Sequence, residues 1–414
     1  MDSLFWPGAE RAGDLMTPAA LVRAMVEVER AWLEALVAAG VAPADAGGQL
    51  GAFEIEDARG LVAKVASGSE AGGNPVIPLV RLLRQQFSGQ PAAKWLHRGL
   101  TSQDVLDSAL LGCLGRVLAQ VRAELDGQIA AVARLADRHR ATPMAGRTLT
   151  QHAVPTTFGM KAAQWLTALL DARDGLDRLP PLPVQFGGAA GNLSAVVELA
   201  RLAGSPDPAA TAVTILRTAA QTLDLQFRTP WHTARAPITA VGDALVGCCD
   251  AWGRIARDVI ELGRPEIGEL AEPVAEGRGG SSTMSQKRNP VLSVLIRRTA
   301  LSAPQLAATL HLAAAEAVDE RPDGSWHAEW PALQSLSRGA VVAAAQAGEL
   351  LAGLEVSPSR MAENLQAAGE GIQAEQRSMA QLFPSPNQPE TYLGLTDFVV
   401  DDVLNRARET RERR

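Results

Sequence analysis

Apolar residues recur at spacings of three and four over long stretches of this chain, the spacing that lines one face of an α-helix. One run reads Leu110, Leu114, Val117, Val121, Leu125, Ile129, Val132 and Leu135. A second covers Phe158 to Leu176, and a third reads Ile238, Val241, Leu245, Cys249, Trp252, Ile255, Val259 and Leu262. Two more span 291–317 and 331–352, and Pro304 is expected to kink or divide the first of them. With few strand signals between them, five long amphipathic helices predict a mostly α protein built on an extended central bundle. The pattern divides the chain into an N-terminal helical domain at 1–107, the bundle at 108–352 and a short C-terminal helical domain at 353–414. The first part opens with a helix around 18–39 and is expected to carry loops at 66–76 and 88–92. The last holds a Pro-containing loop at 384–389 and a charged final helix. Several long helices carry apolar residues on more than one face, more than one bundle can bury, which predicts oligomerisation.

Composition supports the helical reading. Of 414 residues 47% are hydrophobic but only 4% aromatic, because Ala and Leu dominate and both suit helices. The net charge of −7 is spread along the chain, which argues against a nucleic-acid surface and gives weight to any local cluster of basic residues. Cys113, Cys248 and Cys249 lack metal-ligand spacing, and their odd number argues against a disulfide framework. With no leader-like start and no apolar run near 18 residues, a soluble cytoplasmic protein is expected.

Chemistry concentrates in a few polar stretches. Gly279-Gly280-Ser281-Ser282-Thr283-Met284-Ser285-Gln286-Lys287-Arg288-Asn289-Pro290 is a small-residue loop dense in N–H groups and hydroxyls, with fixed positive charge at its end. On composition it reads equally as a solvated linker or as a loop that wraps a carboxylate. His97-Arg98-Gly99-Leu100-Thr101-Ser102-Gln103-Asp104 precedes the longest helix. It is either a plain N-terminal cap or a helix N-terminus that receives a carboxylate. Gly146 to Pro155 contains Gln151 and His152 ahead of another helix, and a lone histidine is more often structural than catalytic. Gln185 to Asn192 is glycine-rich but has neither a P-loop lysine nor dinucleotide-fingerprint spacing. Trp326-His327-Ala328-Glu329-Trp330 reads first as core.

The Gly279–Pro290 loop resembles the GSSxMPxKxNP signature of the fumarase/aspartase superfamily, with Ser285 where proline is usual. The other stretches match, in order, the polar regions of the same superfamily, and the resemblance covers residues 4 to 395. Within it the likeness is to the bacterial 3-carboxy-cis,cis-muconate cycloisomerases. The residues that carry it are Gly73 to Pro78, His97 to Asp104, Gln151 to Ala153, Gln185 to Gly191, Pro230-Trp231-His232 and Trp326 to Trp330.

The resemblance implies a homotetramer around a shared helical core, with active sites assembled from three subunits. It also implies a small polycarboxylate substrate and no metal or organic cofactor. The implied reaction is a reversible anti addition–elimination beside a carboxylate, through a dianionic intermediate that needs preorganised donors. Ser281 is the expected base, and His152 a stand-in for the histidine that many relatives place where this chain has Leu149. His97, Arg98, Thr101, Ser102, Gln151, Ser282, Thr283, Met284, Lys287 and Asn289 are the expected substrate-binding residues. Leu149 cannot donate a proton, so the leaving group should already be a stable anion, such as a lactone carboxylate or nitrite but not an amine. Ser285-Gln286 replaces the Pro-His of the cycloisomerases, a change that bears on substrate choice. The implied function is lactonisation of 3-carboxy-cis,cis-muconate, with a fumarate-releasing lyase such as a nitrosuccinate or adenylosuccinate lyase as the alternative.

Overall fold

A computed structural model describes residues 4–52, 58–280, 283–284, 287–384 and 392–412. The protein is mostly α. In chain order its helices are α1 Pro18–Ala38, α2 Ala58–Gly72, α3 Val76–Gln86, α4 Pro91–Trp95 and α5 Ser102–Arg138. They continue as α6 Phe158–Asp177, α7 Ser194–Leu202, α8 Pro208–Thr222, α9 Ala236–Leu262, α10 Val291–Ala315 and α11 Gly324–Ala352. The chain ends in α12 Pro358–Ala367, α13 Ala374–Ala380 and α14 Thr396–Glu412. Two small antiparallel pairs join them, β1 Pro143–Thr148 with β2 Gln151–Thr157, and β3 Leu270–Ala271 with β4 Glu355–Val356.

The long helices follow their apolar stripes, with α11 opening seven residues before the stripe at 331–352. Local expectations are corrected at three further places, the first being the loop expected at 88–92, whose last two residues open α4. Residues 66–72 are helical and belong to α2, so the turn between α2 and α3 is confined to Gly73–Pro75. The small residues there serve close packing: a Cβ at Gly68 would stand 2.8 Å from Pro78, and one at Gly72 would stand 2.7 Å from Ile77. Pro304 does not divide its stripe in two, since it lies inside a single helix, α10. Beside it α9 and α10 approach closely, since a Cβ at Gly253 would come within 2.5 Å of the Ala300 side chain. Tertiary packing of this kind holds a helix together across one missing N–H.

The chain divides into two compact units. The first comprises Met1–Ala119, Leu179–Asp243 and Leu306–Arg338. Its core includes Trp32, Phe186 and Trp231, with the Trp32 and Phe186 rings 5.0 Å apart. The second comprises Gln120–Arg178, Ala244–Gln305 and Gly339–Arg414. There Trp252 donates to Gln128 Oε1 at 2.7 Å, and Gln128 donates to the Ala344 carbonyl at 2.8 Å. These bonds satisfy the buried indole N–H of Trp252 and the buried side-chain amide of Gln128. Cys113, Cys248 and Cys249 are free and buried, and burial pushes the Cys248 thiol up to about 12. Among the described residues, no helix is long and apolar enough to cross a membrane.

Candidate active site

In the first unit, the turn before α5 is shaped by what lies beneath it. Buried Trp32 on α1 donates its indole N–H to the Arg98 carbonyl at 2.7 Å. His97 and Gly99 both adopt left-handed backbone, with φ of 62° and 86°. For a histidine that conformation is uncommon and needs support from its surroundings. Support comes from Glu29, a buried carboxylate 2.6 Å from His97 Nδ1. Burial alone would lower the His97 pKa, but the charge and hydrogen bond of Glu29 outweigh it, and the net shift is upward.

Asp104, buried in the first turn of α5, organises the next layer. It accepts from the backbone N–H groups of Thr101 at 3.0 Å, Gly187 at 2.9 Å and Gly188 at 2.9 Å, and from His232 Nε2 at 2.8 Å. The Thr101 bond is one half of a capping box. The Thr101 hydroxyl accepts from the Arg321 guanidinium, which also reaches the Ala189 carbonyl at 3.2 Å. The glycine-rich turn therefore wraps a carboxylate of its own chain. A Cβ at Gly187 would stand 2.5 Å from the His232 ring, so no larger residue fits without movement.

One turn further along α5, buried Asp107 accepts from Arg235 at 2.6 Å and 3.2 Å, from Gln103 at 3.1 Å and from Trp326 Nε1 at 3.0 Å. Glu329 holds Arg235 from another side, at 2.6 Å and 3.0 Å. Burial raises the Glu329 pKa although Arg235 opposes the shift. The Trp326 to Trp330 stretch forms the first turns of α11, with its two indoles 4.7 Å apart and nearly perpendicular. His327 Nε2 lies 2.8 Å from the Gly73 carbonyl. Five sequence stretches thus meet in one hydrogen-bonded body: Gly73, Thr101 to Asp107, Gln185 to Gly188, Trp231 to Arg235 and Arg321 to Trp330.

The second unit presents two features. The first is the hairpin of β1 and β2, in which Thr148 pairs with Gln151 across Leu149 and Thr150. Both turn residues have positive φ, 48° and 71°, the conformation that a two-residue hairpin turn normally assigns to Asn and Gly. Leu149 is 96% exposed at the tip, and Gln151 and His152 follow it on exposed backbone. At the hairpin's bulge, a Cβ on Gly146 would meet the Val154 carbonyl oxygen at 2.6 Å. Arg147 anchors the hairpin through two bonds to buried Glu269, at 2.7 Å and 3.0 Å, and Asn364 donates to the same carboxylate at 2.8 Å.

The second feature is the serine-rich loop, which is closed at its neck. The Gly279 carbonyl accepts from the Asn289 backbone at 2.8 Å and from its side-chain amide at 3.1 Å. Gly279 has φ of 71°, and a Cβ there would lie 2.6 Å from the Asn289 carbonyl oxygen. Arg278 pairs with Glu349 just before the neck. Just after it, Glu272 accepts from the first N–H groups of α10, Leu292 at 3.0 Å and Ser293 at 2.7 Å. Thr283, Met284 and Lys287 stand exposed on the loop. Ser281, Ser282, Ser285 and Gln286 lie outside the described residues.

The first unit thus carries His97, Arg98, Thr101 and Ser102, and the second carries Gln151, His152, Thr283, Met284, Lys287 and Asn289. Asn289 has its amide nitrogen committed to the neck of the loop. Among the described residues, no group of three His, Cys, Asp or Glu stands close enough to hold a metal ion. Sequence reasoning missed Arg321, which no pattern marks, and the tie from Arg147 to Glu269, whose partners are 122 positions apart.

Residues 72–304 match the family model described as Lyase. The chain is 44% identical over 373 residues to nitrosuccinate lyase of Streptomyces davaonensis, covering 89% of this chain and 77% of that one. The chain belongs to this lyase family, the fumarase/aspartase superfamily. It is also 40% identical over 352 residues to 3-carboxy-cis,cis-muconate cycloisomerase of Pseudomonas aeruginosa, covering 83% and 73%. Among solved structures, the 3-carboxy-cis,cis-muconate lactonizing enzyme of Pseudomonas putida superposes with a TM-score of 0.83 at 29% identity, covering 96% of this chain and 97% of that one. As a member of the superfamily, the protein is an enzyme of the cycloisomerase and lyase kind.

Proposed function

We propose that this enzyme catalyses anti addition–elimination beside a carboxylate of a small polycarboxylate, with a leaving group that departs as a stable anion. The observation that carries this reading is Leu149, exposed at the strained tip of the hairpin where many superfamily lyases place an acidic histidine. A leucine supplies no proton, so an amine would leave poorly while a carboxylate or nitrite leaves unaided. Ser281 acts as the base, and it belongs to the loop that Gly279 and Asn289 close at the neck. Thr101, Ser102, Gln151, Thr283, Met284 and Lys287 receive the substrate carboxylates together with His97 and Arg98. Ser282 shapes the loop, Asn289 acts as a positioning residue, and His152, three residues beyond Leu149, stands in for the histidine missing there. The enzyme works as a cytoplasmic homotetramer whose sites draw residues from several subunits, without metal or organic cofactor.

The substrate that fits first is 3-carboxy-cis,cis-muconate, closed to its lactone, in keeping with the cycloisomerase relatives and with Trp326 to Trp330. Elimination of nitrite from nitrosuccinate is the second reading, favoured by the 44% identity to a nitrosuccinate lyase and by Ser285-Gln286. Ultraviolet spectroscopy separates the two, through loss of the conjugated diene for the first and formation of fumarate for the second. Ser281→Ala should abolish whichever reaction is found while leaving substrate binding within an order of magnitude. More than a tenth of wild-type kcat in that variant would remove Ser281 from the role of base. Fast release of ammonia or of a purine amine would sink the leaving-group argument.

A further inference from the structure

On the first unit, α3 and the turn at His97 enclose a cleft of about 490 Å³, a volume that suits a small organic ligand. Arg81, Arg84 and His97 line it, with Gln85 and Ser88 as further polar groups and Ile77 and Val80 as an apolar wall. No acidic side chain is part of this lining. Among the described residues, neither arginine forms an ion pair. Arg84 gives one N–H to the Leu96 carbonyl at 2.8 Å, while its buried Nε has no partner among the described residues. Glu29 grips His97 at Nδ1 from beneath and so fixes the orientation of the ring that lines the cleft. The guanidinium groups of Arg81 and Arg84 carry positive charge that no acidic side chain of the lining balances. Such a concentration of cations in a chain of net charge −7 calls for an anion.

We propose that this cleft binds a small dicarboxylate, whose two carboxylates meet Arg84 with His97 and Arg81 with Gln85 and Ser88, while Ile77 and Val80 cover its carbon chain. Planar guanidinium groups match carboxylates two bonds at a time, and a short carbon chain explains the aliphatic wall. The carboxylates come either from a free molecule or from the distal end of the enzyme's own polycarboxylate substrate. Only the second source rests on the function proposed above.

Calorimetric titration of the full chain with succinate, which has no leaving group, tests the site. The comparison is with Arg81→Glu and with Arg84→Met, and thermal unfolding without ligand serves as the control for folding. Arg81 is exposed and makes no ion pair among the described residues, so Arg81→Glu carries the test if Arg84→Met fails to fold. Loss of one succinate per chain, or a rise in its Kd of at least tenfold, with substrate KM unchanged, identifies a free dicarboxylate as the occupant. Unchanged stoichiometry with at least a tenfold rise in KM for the tricarboxylate carboxymuconate, and a smaller rise for nitrosuccinate, identifies the distal end of the substrate. If neither compound is turned over, succinate binding unaffected by Arg81→Glu overturns the proposal by itself. Succinate binding and KM both unaffected by Arg81→Glu would overturn the proposal, as would inorganic phosphate displacing succinate at equal concentration.

Discussion

Replacing Asp104 by asparagine tests whether the first unit is organised around one buried carboxylate. The side chain takes four donors between 2.8 Å and 3.0 Å, three backbone N–H groups and His232. An asparagine of the same shape offers one acceptor oxygen and one NH₂. Two donors keep a partner, and the other two face an N–H group that cannot accept. Hydrogen bonds to a charged group contribute about 1.5–3 kcal/mol each, so losing two costs roughly 3–6 kcal/mol. Relief from burying a charge returns part of that, and a net loss of about 3–4 kcal/mol is expected. Urea unfolding of the wild-type and variant chains, with equal m values, measures it. Because Thr101 N–H is one of the four donors, the turn that carries Thr101 and Ser102 should loosen as well, raising KM beyond what stability alone explains. A loss below 1 kcal/mol with unchanged KM would refute the reasoning, since Asp104 would then be one packed side chain among many.

Three further outcomes are expected. Arg147→Met strands the buried Glu269 carboxylate with Asn364 as its remaining side-chain donor among the described residues, so the second unit should lose about 3–5 kcal/mol in denaturant unfolding. Replacing Leu149 and Thr150 together by Asn and Gly relieves two left-handed non-glycine residues at about 1–2 kcal/mol each, and thermal unfolding should shift upward. An unchanged midpoint would show that the turn is unstrained. The raised pKa of His97, set by Glu29 and Asp104 against burial and Arg84, adds stability that is fully present below its unfolded value of 6.5. That stability fades as pH rises through the higher folded value, and His97→Gln should flatten this part of the stability–pH curve.

Some of this protein is determined by the sequence alone. The stripes from Leu110 to Leu135 and from Ile238 to Leu262 specify α5 and α9, because an apolar face at helical period must find a buried partner. The polar stretches before α5 and around the serine-rich loop stand out because they break that period. Local chemistry misleads where packing overrides it. Gly68 and Gly72 look like loop residues, yet they let α2 lie against Pro78 and Ile77, and Pro304 looks like a break, yet it sits within α10.

Only the tertiary structure decided which polar residues meet. Asp104 reads as a helix cap in sequence, but its donors at Gly187, Gly188 and His232 are more than 80 positions away. Arg147 finds Glu269 only because the hairpin folds back onto the segment that precedes the serine-rich loop. Arg321 finds Thr101 across 220 positions, and Arg81 and Arg84 gain meaning only once the turn at His97 completes their cleft. Periodicity is local and is written in every heptad. Partnership between charges depends on where distant helices come to rest, and single-residue patterns do not encode that placement.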